Sequence, residues 1–258
     1  MPAGVTRPAF IKKEVGVNMK KLFLLFILAA SVVSFAEEQV FFCGFEESEG
    51  YTLGAITGQN DWEELFNHTV NLYDVTNVFS YSGEQSLYVY GPREGGDTGV
   101  KKTVEYENPY QGKILFSYML KPGERYVRMY IYDKVGGDSH RIAVVHINTS
   151  ELYVDAGGTW SGGNPNLSID EWYKVTLLFD PIDRVLEEFT LGDDITLDEV
   201  REYCDEAATG DIGSIAIRTG WNDPTDACVD DITIELIPEP ASLSLLALAG
   251  FFFLRKRS

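Results

Sequence analysis

Through the middle of this chain apolar residues recur at every second position, a period that builds strands and not helices. ILFSYML (114–120) sets Ile114, Phe116, Tyr118 and Leu120 on one face. RYVRMYIYD (125–133) alternates Val127, Met129 and Ile131 with Tyr126, Arg128, Tyr130 and Tyr132. The stretches 39–45, 86–90, 100–106, 141–147, 172–179, 214–218 and 229–236 follow the same rule. Gly and Pro punctuate them, as at Pro122-Gly123, Gly136-Gly137 and Gly162-Gly163-Asn164-Pro165. Many short strands divided by turn residues predict an all-β sandwich of two antiparallel sheets. One helix is expected near Leu197–Glu206, where Thr196 and Glu199 form a capping box. With no repeat and no linker before Ile237, residues 37–236 read as one domain.

The composition supports a packed core: 45% of the 258 residues are hydrophobic and 13% aromatic. The formal charge is −19. Such a surface repels nucleic acid and anionic lipid, so no nucleic-acid partner is expected, and it suits solubility, cations and neutral glycans.

Both ends read as addresses. Met19–Ala36 has a basic start (Lys20, Lys21), an apolar run and a small-x-small site before Glu37, the three parts of a secretory signal cleaved between Ala36 and Glu37. The preceding 18 residues fit no part of that plan, which makes Met19 the expected start. At the other end Pro238-Glu239-Pro240 is followed by an apolar run, Ser242–Leu254, and by Arg255, Lys256 and Arg257. Thirteen residues make roughly 20 Å of helix, short of the ~30 Å hydrocarbon core. This tail resembles the PEP-CTERM sorting signal of Gram-negative bacteria. The resemblance implies a short apolar sorting helix, transient inner-membrane association and processing by an exosortase. It also implies transfer to the cell surface or extracellular matrix, beside exopolysaccharide.

In the middle, FFCGFEESEGYTLGAITGQNDW, YSGEQSLYVYGP, ILFSYMLKPGERYVRMYIYD, DEWYKVTLLFD and VDDITIEL, in that order, resemble a concanavalin A-like (laminin G-like) jelly roll. A galactose-binding-like jelly roll is the alternative. The resemblance implies glycan-binding or adhesive modules and some glycan-cleaving enzymes. It also implies neighbouring first and last strands, and a structural calcium ion at Glu46 and Asp230, with Asp231 as the substitute ligand.

Catalytic motifs are missing from the sequence. The E-x-D-x-E run of lectin-like glucanases does not occur, and His68, His140 and His146 lack metal-ligand spacing. Asp180–Asp183 and Glu187-Glu188 read as a solvated turn, and His146 as a core or sheet-face histidine. Tyr126, Arg128, Tyr130 and Tyr132 would form a sugar-stacking platform on one strand, with Trp160 and Trp221 capping a sugar from loops. Trp62 and Trp172 read as core. Of three cysteines, Cys204–Cys228 is the preferred disulfide, Cys43–Cys228 its rival, and three free thiols the remaining option. The expected function is a non-catalytic carbohydrate-binding or adhesive protein of the surface or matrix that meets extracellular polysaccharide. The alternatives are a glycan-cleaving enzyme and a structural envelope protein without a ligand.

Overall fold

The structure, a computed structural model, describes residues 37–65, 73–90, 98–108, 112–197, 201–219 and 226–237. The expected secretory signal, Ala36 of its expected cleavage site, and the expected sorting tail from Pro238 onward lie outside the described residues. All described residues fall within one unit, Ala36–Leu245.

Alternation along the strands becomes two antiparallel sheets, with strands numbered in chain order. One contains β1 (Glu38–Cys43), β2 (Gly54–Ala55), β4 (Tyr73–Thr76), β5 (Ser86–Tyr90), β7 (Lys113–Lys121) and β12 (Tyr173–Asp180). It continues through β13 (Val185–Leu191), β14 (Ile195–Leu197), β15 (Arg201–Glu202) and β17 (Asp226–Ile237). The second runs β11 (Thr159–Gly163), β10 (Leu152–Asp155), β9 (Gly137–Ile147), β8 (Val127–Asp133), β16 (Ile212–Thr219), β6 (Thr98–Thr103) and β3 (Trp62–Glu64), in that spatial order. Among the described residues the only helix is a 3-10 turn, Glu47–Glu49, and none is long and apolar enough to cross a membrane.

Inward residues interleave between the sheets. Phe116, Leu120, Leu177, Phe179 and Ile234 of the first face Met129, Ile131, Ile215 and Ile217 of the second, all fully buried. Each such side chain contributes about 1.5–3 kcal/mol through burial. Tyr73 ties the layers together by a polar link: its hydroxyl donates to Thr98 O (2.8 Å) and accepts from Thr219 N (3.1 Å). First and last strands are neighbours, with β1 pairing antiparallel to the second half of β17 and β5 to the first half. Between the halves the register slips at Asp230, and Asp231 takes φ 45°.

Three sequence expectations need correction. The helix over Leu197–Glu206 is replaced by short strands β14 and β15, residues 198–200 lying outside the description. Arg201 and Glu202 complete the ladder at the edge of β13, and Tyr203 is buried with its ring edge-on to Phe179. Tertiary pairing and an aromatic anchor override the local capping signature. Second, Glu187 and Glu188 sit within β13, not a turn, and Glu187 pairs with Lys113 at 2.7 Å. Third, Cys43, Cys204 and Cys228 are free thiols. Cys204 Sγ donates to Asp155 O, beside the second sheet, whereas Cys228 sits in the first between Lys121 and Tyr88. Cys43 Sγ meets Tyr51 Oη at 3.1 Å. Burial pushes all three thiols up to about 12.

Candidate functional site

The outward positions of β8 carry Arg128, Tyr130 and Tyr132, with Tyr126 one residue before the strand. Strand pairing surrounds them with residues from three neighbours. Arg128 lies opposite Arg218 of β16 on one side and His146 of β9 on the other, and His146 in turn opposite Tyr153 of β10. One level along, Tyr130 lies between Ala216 and Val144, and beyond it Tyr132 lies between Ser214 and Arg141.

The rings are ordered against one another. Tyr130 and Tyr132 stack with centroids 5.9 Å apart and planes 16° apart, and the Arg218 guanidinium carbon sits 4.4 Å from the Tyr130 centroid. Tyr132 accepts a hydrogen bond from Arg218. Tyr126 meets His146 edge-on at 6.2 Å and Tyr153 at 6.0 Å, and donates to Glu151. Beneath this layer Val144 (1% exposed) and Ala216 (0%) are buried although they lie outside the inter-sheet core. Half-exposed rings over small apolar residues, with Tyr132 buried among them, make an amphipathic surface edged by hydroxyls and cations. Beside it, next to Lys101 and Ser214, opens a cleft of about 680 Å³ lined also by Tyr106, Lys134 and Asp138.

The four β8-side residues expected from the sequence are therefore brought together. His146, placed on the sheet face, and the overlooked Tyr153 and Arg218 complete the platform. Tyr153 stands in a four-residue strand too short to show a period, and Arg218 joins β8 through a pairing 90 residues distant in the chain, which no local pattern reports. Trp160 is in β11 opposite Val154, not opposite Tyr153, and Trp221 lies outside the described residues. Trp62 is core (1% exposed), but Trp172 is half-exposed and packs on exposed Tyr81 at 6.0 Å, correcting its assignment to the core. It precedes the first ladder residue of β12, so the strand's inward alternation does not reach it.

Burial first, then the charges of Arg128 and Arg218, push the His146 imidazole down to about 4, against an upward pull from Asp155. The folded protein thus prefers neutral His146. Its contribution to stability is complete above the unfolded-state value near 6.5 and is lost as pH falls from there toward 4. Expected by NMR titration is a midpoint at least one pH unit below that of a free histidine, and His146→Gln should flatten the loss of melting temperature between pH 6.5 and 4.5.

The acidic residues gather elsewhere, around the loop before β5. Asp230, fully buried, accepts from Tyr81 N (2.9 Å) and Ser82 N (3.3 Å) through Oδ2 and from Asp231 N (2.9 Å) through Oδ1. Glu46 Oε1 accepts from Glu84 N and Gln85 N, both at 3.0 Å, and Ser82 Oγ donates to Asp231 at 2.7 Å. Burial pushes Asp230 up to about 7, and Glu49 is raised as well. The oxygens are of the hard type calcium takes, but they are turned onto amides. Among the described residues no three His, Cys, Asp or Glu side chains converge as a metal-holding group.

No family model matches the chain, and no curated protein matches it. Solved structures resemble it at low identity. A carbohydrate esterase from Shiga toxin-encoding bacteriophage phi24B superposes with TM-score 0.53 at 10% identity, covering 78% of this chain and 100% of its own. The CBM22-1 xylan-binding domain from Paenibacillus barcinonensis Xyn10C gives 0.39 at 14%, covering 80% and 99%. A sialidase gives 0.47 at 12% over 71% of this chain, which spans only 17% of that one. At 10% identity the likeness to the esterase concerns the fold alone.

Proposed function

We propose that this is an exported, non-catalytic protein that binds extracellular polysaccharide on the outer face of its seven-stranded sheet. The observation that carries the reading is the platform itself: half-exposed tyrosines of two strands, His146 and two arginines, with buried Tyr132 among them, lie around Val144 and Ala216 on the sheet face turned away from the inter-sheet core. Sugar rings offer the complement, with flat C–H faces for the aromatics and hydroxyls for the polar edges. The carboxyls held above their usual range, Glu49 and Asp230, belong to the β1–β17 end of the other sheet, not to the platform. A raised carboxylic acid beside a second carboxylate is what glycoside hydrolysis needs. Electrophoresis of the purified protein through gels containing neutral and acidic polysaccharides tests the reading, with reducing ends assayed in parallel. Retardation by a glycan without new reducing ends is expected. New reducing ends would make it an enzyme, and free migration through every gel would remove the glycan.

Export and sorting belong to the same proposal and rest on the two ends of the sequence. Changing Pro238-Glu239-Pro240 to alanines is expected to leave the unprocessed protein in the inner membrane, read by fractionation and blotting. Unchanged release would refute exosortase sorting. With the signal intact, the mature protein then works at the cell surface or in the matrix.

A further inference from the structure

The outer face of the ten-stranded sheet carries a row of hydroxyls across five strands. Thr233 of β17 lies opposite Ser117 of β7, and Ser117 opposite Thr176 of β12. Thr176 in turn lies opposite Thr190 of β13, and Thr190 opposite Thr196 of β14. Exposed Phe42 of β1 extends the row beyond Thr233. Alternation fixes the direction: Phe116, Tyr118 and Leu120 belong to the inter-sheet core, and Met119, though buried, does not. Half-buried Leu115 and Leu178 flank the row on one side, and Met119 flanks it on the other. Cross-strand threonine pairs support a sheet by themselves. They do not call for apolar flanks, or for a middle row without charge in a chain of 40 acidic and 21 basic residues.

Outward charges stand on opposite sides of the row. Lys174 of β12 lies opposite Met119, and Glu188 of β13 lies opposite Leu178. Both are exposed, and neither forms an ion pair among the described residues. Half-buried Glu235, opposite Leu115, is on the β17 side and away from both. A twofold axis along the row makes this face complementary to itself. Met119 comes over Leu115 of a second copy, and the Lys174 stem over its Leu178. The ammonium then sits one strand, about 4.8 Å, from the second copy's Glu188. An uncharged centre with a charged rim is also how protein interfaces are built.

We propose that two copies of this chain stack face to face through this strip of their ten-stranded sheets, with Lys174 of each against Glu188 of the other. Six strands and three rows of residues cover about 24 Å by 20 Å. Counted over both copies that is roughly 1,000 Å², the low end for a specific interface. Assembly is therefore weak, with a dissociation constant between roughly 1 μM and 1 mM. The pair turns both seven-stranded faces outward. On the glycan-binding reading it holds two polysaccharide chains at once and gains avidity, but the stacking itself does not depend on that reading.

Sedimentation equilibrium of the whole purified protein, from about 10 μM to about 1 mM, reads the mass in enough salt to screen the charge of −19. Expected is a rise from one copy toward two, reversed by dilution. Lys174→Glu and Glu188→Lys should each weaken the pair about tenfold or more, and the double exchange should restore it. Melting temperatures should stay near wild type, because both side chains are exposed. A mass of one copy throughout would overturn the proposal. So would association that survives either single reversal, which would move it to another surface such as the apolar tail. A double exchange that fails to restore pairing would overturn the twofold arrangement. Gel retardation of Lys174→Glu by polysaccharide keeps the two readings separate: binding that persists in the monomer leaves the platform standing whatever becomes of the pair.

Discussion

Asp133→Ala is expected to lower the melting temperature by roughly 10 °C, the largest effect of any single polar substitution in the described sandwich. The side chain is fully buried at the end of β8 and accepts five hydrogen bonds. Thr209 N (3.0 Å), Thr209 Oγ (2.8 Å) and Gly210 N (3.1 Å) donate to Oδ1, and Val135 N and Gly136 N (both 3.1 Å) to Oδ2. One carboxylate thus fastens the β8–β9 turn to the segment entering β16. Alanine would strand those donors in a buried site, at about 1–3 kcal/mol for each that finds no water, and a total of about 4 kcal/mol is a reasonable scale. Burial alone would raise this carboxyl, but the bonds from Thr209, Gly136 and Gly210 outweigh it and hold it below its ordinary value. A lowered carboxylate stabilises the fold above its unfolded value near 4 and loses that contribution as pH falls through the folded one. Thermal melts should therefore show an acid limb below pH 4 that Asp133→Asn makes shallower. Gly210 gives an independent check. Its φ is +123° and a Cβ there would lie 2.6 Å from Pro181 O, so Gly210→Ala should destabilise the same junction. A wild-type melting temperature in both variants would show that the clamp contributes nothing.

Were calcium held at Glu46 and Asp230, it would raise the melting temperature by several degrees at pH 8 and much less at pH 5. We propose this for Asp230, whose carboxyl is pushed up to about 7 by burial, with further opposition from Asp231. The raised value favours the protonated folded form, so the contribution of Asp230 to stability is complete below about 4 and declines as pH rises toward 7, by something on the order of 2–4 kcal/mol. A cation held with help from Glu46 would reverse that loss, because it binds only the ionised form. At a hundredfold excess over its Kd such an ion contributes about 2.7 kcal/mol, or roughly 5–10 °C. Asp230→Asn should abolish both the calcium response and its share of the decline between pH 5 and 8. A melting temperature indifferent to calcium and chelator would leave Glu46 and Asp230 as amide caps for the loop before β5, with no cation.

The sandwich was legible because its signal is local. Val127, Met129 and Ile131 announce their face by alternation alone, and each does enter the core. The β8 half of the platform was legible for the same reason, since Tyr126, Arg128, Tyr130 and Tyr132 are the other half of that alternation. What completes the platform was hidden, because Arg218 and Tyr153 reach it through strand pairing between distant segments. The mistaken helix shows the converse. Thr196 and Glu199 satisfy a local rule, yet the open edge of β13 and a buried site for Tyr203 decide the backbone there. Trp172 was misplaced because size and hydrophobicity do not reveal that the strand's inward ladder begins one residue later, at Tyr173.

The most direct test of the central claim is the affinity of the retained glycan for the double variant Tyr130→Ala/Tyr153→Ala, compared with Trp172→Ala. Both remove exposed or half-exposed aromatic surface, but only the first removes it from the platform. If polysaccharide binds the outer face of the seven-stranded sheet, the double variant should bind roughly thirtyfold or more weakly, as for two anchoring contacts, while Trp172→Ala binds as wild type. Unchanged affinity in the double variant, with loss in Trp172→Ala, would contradict the account and move the site to the aromatic pair at Tyr81.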